Sequence, residues 1–348
     1  MPENAQPGHQ YLSGDHAKST QTDIEWDQDN QQWWDWYMSL AENAPGEGEE
    51  NLIELPKPAT YPAPNEQALV EELSQPFSLS PSQVESFQSH GFIKLKNVLS
   101  PGALSLLRAE MATMFEEQSE QLGSRFGSLE MMWEQNQAVR AFVFSTRLAK
   151  LAAELMGVGA VRLYHDNGLS KQPGCGRTPW HYDGHHFPIA TEKVCTVWIP
   201  LQEIPDAMGP LGFAKSMDVV KLVEDIPFNK FDSSYDQRVN ERLRDHGIEV
   251  DLSPFDLGEV SFHHNLNFHT ASSNRTTIPR MVLATTYFED GARVIDAPHM
   301  VNGDWRRFMP GIEPGQVINT PLNPILYPNH LAKPLRPAAS EGSNSDAK

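Results

Sequence analysis

His181 and Asp183 stand two residues apart in the stretch Trp180-His181-Tyr182-Asp183-Gly184-His185-His186-Phe187-Pro188. On an extended backbone, residues i and i+2 project to the same side. An imidazole and a carboxylate aimed at one point make two-thirds of the 2-His-1-carboxylate face that holds non-haem Fe(II) with coordination positions left open. Alone, the pair equally describes a polar strand end with a hydrogen-bonded Asp, so a third ligand decides the matter. His269 is the candidate. Eleven residues after it comes Arg280, at the head of the apolar run Met281–Phe288. Arg280, Val282, Ala284 and Thr286 would share one strand face. An arginine on the inward face of a barrel strand calls for a carboxylate, and a bidentate clamp on a dicarboxylic cosubstrate such as 2-oxoglutarate would supply one.

The elements that must position these groups change character along the chain. Ser80-Pro81 and Ser100-Pro101 each read as an N-cap followed by proline at the first helical position. The first helix stops at Gly91; the second runs to about Gln118 with Leu104, Leu107, Met111, Met114 and Phe115 on its apolar face. A further helix is expected over Thr146–Met156, ending at Gly157. Beyond it come short β-like runs at 160–164, 194–199, 258–263 and 281–288. Helices first and many short strands afterwards predict a mainly β fold, a barrel or sandwich flanked by helices. The charged stretch 216–252 reads as a helical insertion that either covers a site or makes a surface excursion.

Bulk composition narrows the function classes. The chain has 348 residues, 39% hydrophobic and 21% charged, with a net charge of -19. That balance argues against nucleic acid, whose phosphates need clustered Lys and Arg. No apolar run is long enough to span a bilayer. The first residues lack the layout of a signal peptide, so a cytoplasmic protein is expected. Cys175 and Cys195 do not make a disulfide framework and read as small core or loop residues.

Residues 1–65 hold 12 acids against 2 bases and read as a largely flexible acidic segment. Within it Trp26, Trp33, Trp34, Trp36, Tyr37 and Met38 crowd together. They predict a short helix that docks on the main domain or on a second subunit (a homodimer), or serves as a lid. The folded domain is expected over 75–335, and residues 336–348 as a disordered tail.

The order His181-x-Asp183, His269, Arg280 resembles the phytanoyl-CoA dioxygenase family of Fe(II)/2-oxoglutarate-dependent oxygenases. The resemblance runs from about residue 75 to 300. It includes the helix-strand-helix opening Phe77–Phe115, the segment Val194–Ile199 and the turn Gly209-Pro210-Leu211. It implies a double-stranded β-helix, a cupin-like jelly roll with iron in its mouth. It implies His181, Asp183 and His269 as metal ligands, Arg280 as the 2-oxoglutarate anchor, and Trp198 and Asn167 as walls of the cosubstrate pocket. Fe(II), 2-oxoglutarate and O2 would be the cofactor and cosubstrates, and a small organic molecule the substrate, oxidised with release of succinate and CO2.

Two departures stand out. Ala271 occupies the place of a serine that often helps bind 2-oxoglutarate, and Phe213-Ala214-Lys215-Ser216 replaces the family's common Pro-Gly-Ser-His. A carboxylate at Asp183 argues against a halogenase, which keeps that position vacant for chloride. Two other readings of the same residues stay open: a zinc hydrolase with a metal-bound water, which would not need Arg280, and a non-catalytic binding module, which would not need all three ligands.

The neighbours of this set read more plainly. His185 and His186 are expected at a rim with ordinary hydrogen bonds. His264 is the candidate to support the ligands, and His263, on the opposite strand face, is expected to be structural. Lys171 reads as a solvated loop lysine. Arg275 competes with Arg280 as the clamp, but in the loop Ser272–Thr277 an exposed arginine is the simpler reading.

Overall fold

The computed structural model describes residues 51–119, 125–226, 234–298 and 302–328. The Trp-rich patch and the tail 336–348 lie outside them. Residues 51–65, which the sequence groups with the flexible acidic segment, run extended along the domain. Ile53 donates to the Arg275 carbonyl at 2.8 Å and accepts from Thr277 at 3.1 Å. Asn65 then caps the helix α1 (Glu66–Ser74) by accepting from the Ala68 amide.

The serine-proline devices form as their local chemistry dictates. Ser80 makes a full capping box at the start of α2 (Pro81–His90), which Gly91 ends in the left-handed conformation. Ser100 caps α3 (Pro101–Glu117), whose apolar stripe of Leu104, Leu107, Met111 and Met114 is buried. Between them runs β1 (Phe92–Leu95). After β2 (Phe126–Glu130) and α4 (Gln137–Val143) comes α5 (Thr146–Met156), capped by Ser145 and stopped by Gly157. Its Leu148, Leu151, Ala152 and Leu155 are all fully buried, at the i, i+3, i+4, i+7 spacing of one helix face. They seat α5 on the outer face of the large sheet. Burying side chains of this size contributes ~1.5–3 kcal/mol each.

Two antiparallel sheets face each other. The larger has the order β1, β8 (Val260–His264), β5 (Val194–Pro200), β10 (Arg280–Glu289), β3 (Val161–Lys171), β11 (Ile325–Tyr327), with β2 also on β3. The smaller has the order β4 (Thr178–His181), β9 (His269–Ala271), β6 (Leu211–Ala214), β7 (Val250–Asp251). Sheet-on-sheet packing of this kind is the double-stranded β-helix expected from the sequence. Register then decides what faces inward. Across the large sheet Asn167 is opposite Ala284, Ala284 opposite Trp198, and Trp198 opposite Ser261. Since side chains alternate along a strand, Asn167, Trp198, Ala284 and Arg280 all point to the space between the sheets.

The insertion 216–252 is helical in part, with α6 (Val219–Val223) and α7 (Ser234–Asp245). Its described residues sit behind β4, forming a second apolar cluster with Trp180, Tyr182 and Phe268, and none of them lines the cavity between the sheets. Asp236 of α7 accepts from the Trp180 amide at 3.0 Å and pairs with Arg177, and Asn240 accepts from the Trp180 indole at 3.1 Å. A charged stretch thus becomes the brace of the strand that ends at His181.

Candidate metal centre

β4 and β9 pair so that His181 is directly opposite His269. Neighbouring antiparallel strands put directly opposed side chains within contact distance, and the two imidazole centroids are 4.2 Å apart. The chain turns after Tyr182 so that the Asp183 carboxylate meets both. Its Oδ1 lies 3.8 Å from His181 Nε2 and 3.6 Å from His269 Nε2. One ligand atom from each of the three lies within 4.8 Å of the others. The pairing of positions 181 and 183 with a residue 86 positions beyond Asp183 is therefore realised in space.

The hydrogen bonds fix which nitrogen is free. His181 Nδ1–H donates to the Pro179 carbonyl at 2.8 Å, and His269 Nδ1–H to the Asn267 carbonyl at 3.0 Å. Each Nε2 is left as a lone pair aimed at the centre, the tautomer metal binding requires. Burial lowers the pKa of both imidazoles, His269 well below the ordinary value; the nearby His263 lowers both further, and His181 adds to the shift of His269. They are neutral ligands at neutral pH. For Asp183, burial pushes upward, but the imidazoles of His269, His263 and His181 outweigh it and hold the carboxyl well below the usual carboxylate range. Two neutral nitrogens and one carboxylate, with room for further ligands, fit a divalent first-row ion.

His263 corrects the sequence reading. It is 2% exposed, and its Nε2–H donates to Asp183 Oδ2 at 3.3 Å. β5 and β8 pair with Thr196 opposite His263, so His263 faces inward with Thr196 and Trp198. His264 is on the outer face, where its Nδ1 accepts from the Leu266 amide. Adjacent histidines on one strand always split between faces, but which goes inward depends on register, and the sequence does not reveal register.

Arg280 is 2% exposed. Its Nη1 donates to the Gly209 carbonyl at 2.6 Å, its Nε has no protein partner, and its guanidinium lies 5.4 Å from the Trp198 ring. Among the described residues no carboxylate is within ion-pair distance of it, and burial pushes its pKa down to about 10. Gly209 is fixed in place by necessity. Its φ is +75°, and a Cβ there would lie 2.1 Å from the Ser272 carbonyl oxygen, so only glycine fits the turn that presents this carbonyl.

His181, Asp183, His269, Arg280, Trp198 and Asn167 all line one cavity of ≈ 190 Å³. Asn167 Oδ1 accepts from Ser128 Oγ at 2.9 Å. Phe213, from the departing Phe-Ala-Lys-Ser segment, is buried against the rings of His263 and His269. Of the two polar residues beside Ala271, Thr270 donates its hydroxyl to the Thr178 carbonyl at 2.6 Å, and Ser272 is exposed.

Three further readings change. His186 is buried and lines the cavity rather than its rim. Lys171 is fully buried, donating to the carbonyls of Gly176 at 2.9 Å and Ser272 at 3.2 Å. It ends β3 opposite Arg280, a strand that runs well past the apolar 160–164 because its polar residues have partners inside. His165, on that same extension, also lines the cavity and stacks on Phe308 with centroids 4.7 Å apart. Burial lowers its pKa to about 4. Arg275 is exposed, and both cysteines are buried and joined in no disulfide, as expected.

The sequence profile of the phytanoyl-CoA dioxygenase family matches residues 87–282, more than half of the chain. The chain belongs to the phytanoyl-CoA dioxygenase family. Its catalytic class is the Fe(II)- and 2-oxoglutarate-dependent dioxygenases, with O2 as the other cosubstrate. Solved structures share the fold at low identity. The non-haem α-ketoglutarate-dependent carbocyclase SnoK from nogalamycin biosynthesis has a TM-score of 0.59 and 20% identity, over 72% of this chain and 99% of that one. The epimerase SnoN, solved with Fe3+, α-ketoglutarate and nogalamycin RO, has a TM-score of 0.56 and 18% identity, over 75% and 100%. EctD from S. alaskensis, solved with 2-oxoglutarate and 5-hydroxyectoine, has a TM-score of 0.53 and 15% identity, over 73% and 94%. No curated protein matches the chain. Among the described residues no helix is long and apolar enough to cross a membrane.

Proposed function

We propose that His181, Asp183 and His269 hold the Fe(II), that Arg280 clamps the far carboxylate of 2-oxoglutarate, and that the enzyme oxidises a small, uncharged organic molecule. The observation that carries the reading is Arg280: a buried guanidinium without a carboxylate partner, in the same cavity as a free His-Asp-His face. A buried cation is costly unless an anion joins it. A zinc hydrolase has no use for such a group.

When bound, iron and 2-oxoglutarate supply the oxidising chemistry: O2 and 2-oxoglutarate yield succinate and CO2, and one oxygen atom goes to the substrate. The chain's own part is geometry. His181 and His269 present their Nε2 lone pairs. Asp183 offers one oxygen while His263 holds the other. Trp198 forms a flat wall beside the guanidinium. Asn167, its Oδ1 occupied by Ser128, turns its NH2 donors to the cosubstrate. His165, His186, Phe126 and Phe187 line the same cavity. Among the lining residues Arg280 is the one cation, so nothing there recognises the phosphates of a CoA thioester. The neutral imidazole of His165 and the phenyl rings favour a small substrate with a hydroxyl to donate.

Anaerobic addition of Fe(II) and 2-oxoglutarate is the test. The expected result is the weak visible charge-transfer band of the chelate, abolished in Asp183→Ala together with substrate-dependent succinate release. Folded wild-type protein that binds Fe(II) but gives no band would overturn the proposal.

A further inference from the structure

A second cavity, ≈ 660 Å³, is separate from the catalytic one. It is a groove between the extended segment 55–61 and the outside of the barrel, lined in part by Leu55, Tyr61, Arg108, Met208, Phe255 and Ile278. Its outer wall is fastened at intervals. Ile53 bridges to Thr276, the Tyr61 amide donates to Ser105 Oγ at 3.0 Å, and Arg108 donates to the Ala59 carbonyl at 3.2 Å. Between these anchors Tyr61 stays 40% exposed. The inner wall backs onto the cosubstrate clamp: Phe255 packs on Trp198 with centroids 5.0 Å apart, and Met208 precedes the glycine whose carbonyl holds Arg280.

We propose that this groove is the seat of the chain's own segment Ile24–Met38. Three observations point to that occupant. The outer wall is the continuation of the same chain, and the 17-residue step from Met38 to Leu55 spans up to ~55 Å, ample for folding back. Trp26, Trp33, Trp34, Trp36 and Tyr37 are the densest aromatic cluster of the chain, and each such ring would otherwise leave ~150–250 Å² in water. The segment carries Glu25, Asp27, Asp29 and Asp35 with no basic residue. The groove is lined by two bases, Lys57 and Arg108, and two acids, Glu203 and Asp256; Asp256 is paired with Lys96, whereas Lys57 and Arg108 have no carboxylate partner among the described residues. A seated segment would stiffen the wall behind Trp198 and Gly209, and so favour 2-oxoglutarate binding.

Hydrogen exchange on the full chain tests this, with the triple variant Trp33→Ala/Trp34→Ala/Trp36→Ala and a matching triple Trp→Phe variant. Peptides covering 55–61, 202–208 and 254–258 are expected to exchange ~10-fold faster in the alanine variant and at the wild-type rate in the phenylalanine one. Peptides of β10 and α5 should be unaffected, which shows that the fold is intact. Equal exchange in all three proteins overturns the proposal. So does protection that grows with protein concentration, because the occupant would then be a second copy. The chelate band, present in every variant, keeps this outcome apart from the assignment of the catalytic centre.

Discussion

Arg280→Met separates binding from folding in a way few substitutions do. In the protein without ligands, the guanidinium is buried and its Nε lacks a partner. Its pKa falls from the usual guanidinium value to about 10 because of that burial, a penalty on the charged form of ~3 kcal/mol. The sign follows from linkage: a base with a depressed folded pKa binds fewer protons folded than unfolded, so the penalty is complete at every pH below about 10. Methionine removes it and fills most of the volume, but strands the Gly209 carbonyl, which costs ~1–3 kcal/mol.

The net expectation is a variant as stable as the wild type, or more stable by ~1–2 kcal/mol. Affinity moves the other way. Two charge-assisted hydrogen bonds to a carboxylate are worth ~1.5–3 kcal/mol each, so the dissociation constant for 2-oxoglutarate should rise ~10²–10⁴-fold. Urea unfolding with and without 2-oxoglutarate, beside anaerobic titration of the chelate band, reads both quantities. At 2-oxoglutarate concentrations near 100 times its dissociation constant, the wild type gains ~2.7 kcal/mol and the order of stabilities reverses. Unchanged 2-oxoglutarate affinity, or a variant much less stable without ligand, would refute the assignment of Arg280.

His263→Phe should weaken metal binding ~10–100-fold by freeing the second oxygen of Asp183, and His263→Gln, which can still donate, should recover most of it; competition with a chelator measures both. Asp166 is fully buried on β3, accepts from the Met132 amide at 2.9 Å, and has its pKa raised to about 7 by burial. A carboxyl with a raised folded pKa destabilises the fold as pH rises from about 4 to about 7. Asp166→Asn should therefore stabilise by ~2–4 kcal/mol at pH 8 and by little at pH 4, visible as melting curves that converge in acid. Asp236→Ala removes the partner of Arg177 and of the Trp180 amide. A loss of ~3 kcal/mol in stability is expected, with Fe(II) affinity reduced more than 2-oxoglutarate affinity, since β4 carries a metal ligand and not the clamp.

The helices were legible where they rest on local chemistry. Ser80-Pro81, Ser100-Pro101 and the glycines at 91 and 157 act on the backbone within a turn, so their effect needs no distant partner. The strands were legible only where apolar. β3 was cut short at 164 because Asp166, Asn167, Ser170 and Lys171 look like loop residues, yet all four are accommodated within the sheet. Residues 51–65 looked solvated for the same reason. Ile53 is held by backbone hydrogen bonds to Arg275 and Thr277, and the Tyr61 amide and Ala59 carbonyl by Ser105 and Arg108, so nothing in the segment's own side chains marks it as ordered.

The sequence alone determined the types, order and spacing of His181, Asp183, His269 and Arg280, because ligand chemistry restricts residue type strongly. Tertiary structure decided the rest. Opposed register on β4 and β9 set the two imidazoles side by side, and register on β5 and β8 turned His263 inward and His264 out. The fold also withheld a carboxylate from Arg280 and put the charged helix α7 behind His181. Each of these depends on contacts between residues far apart in the chain. Inward and outward differ by a one-residue shift in strand pairing, which leaves no trace in a single sequence.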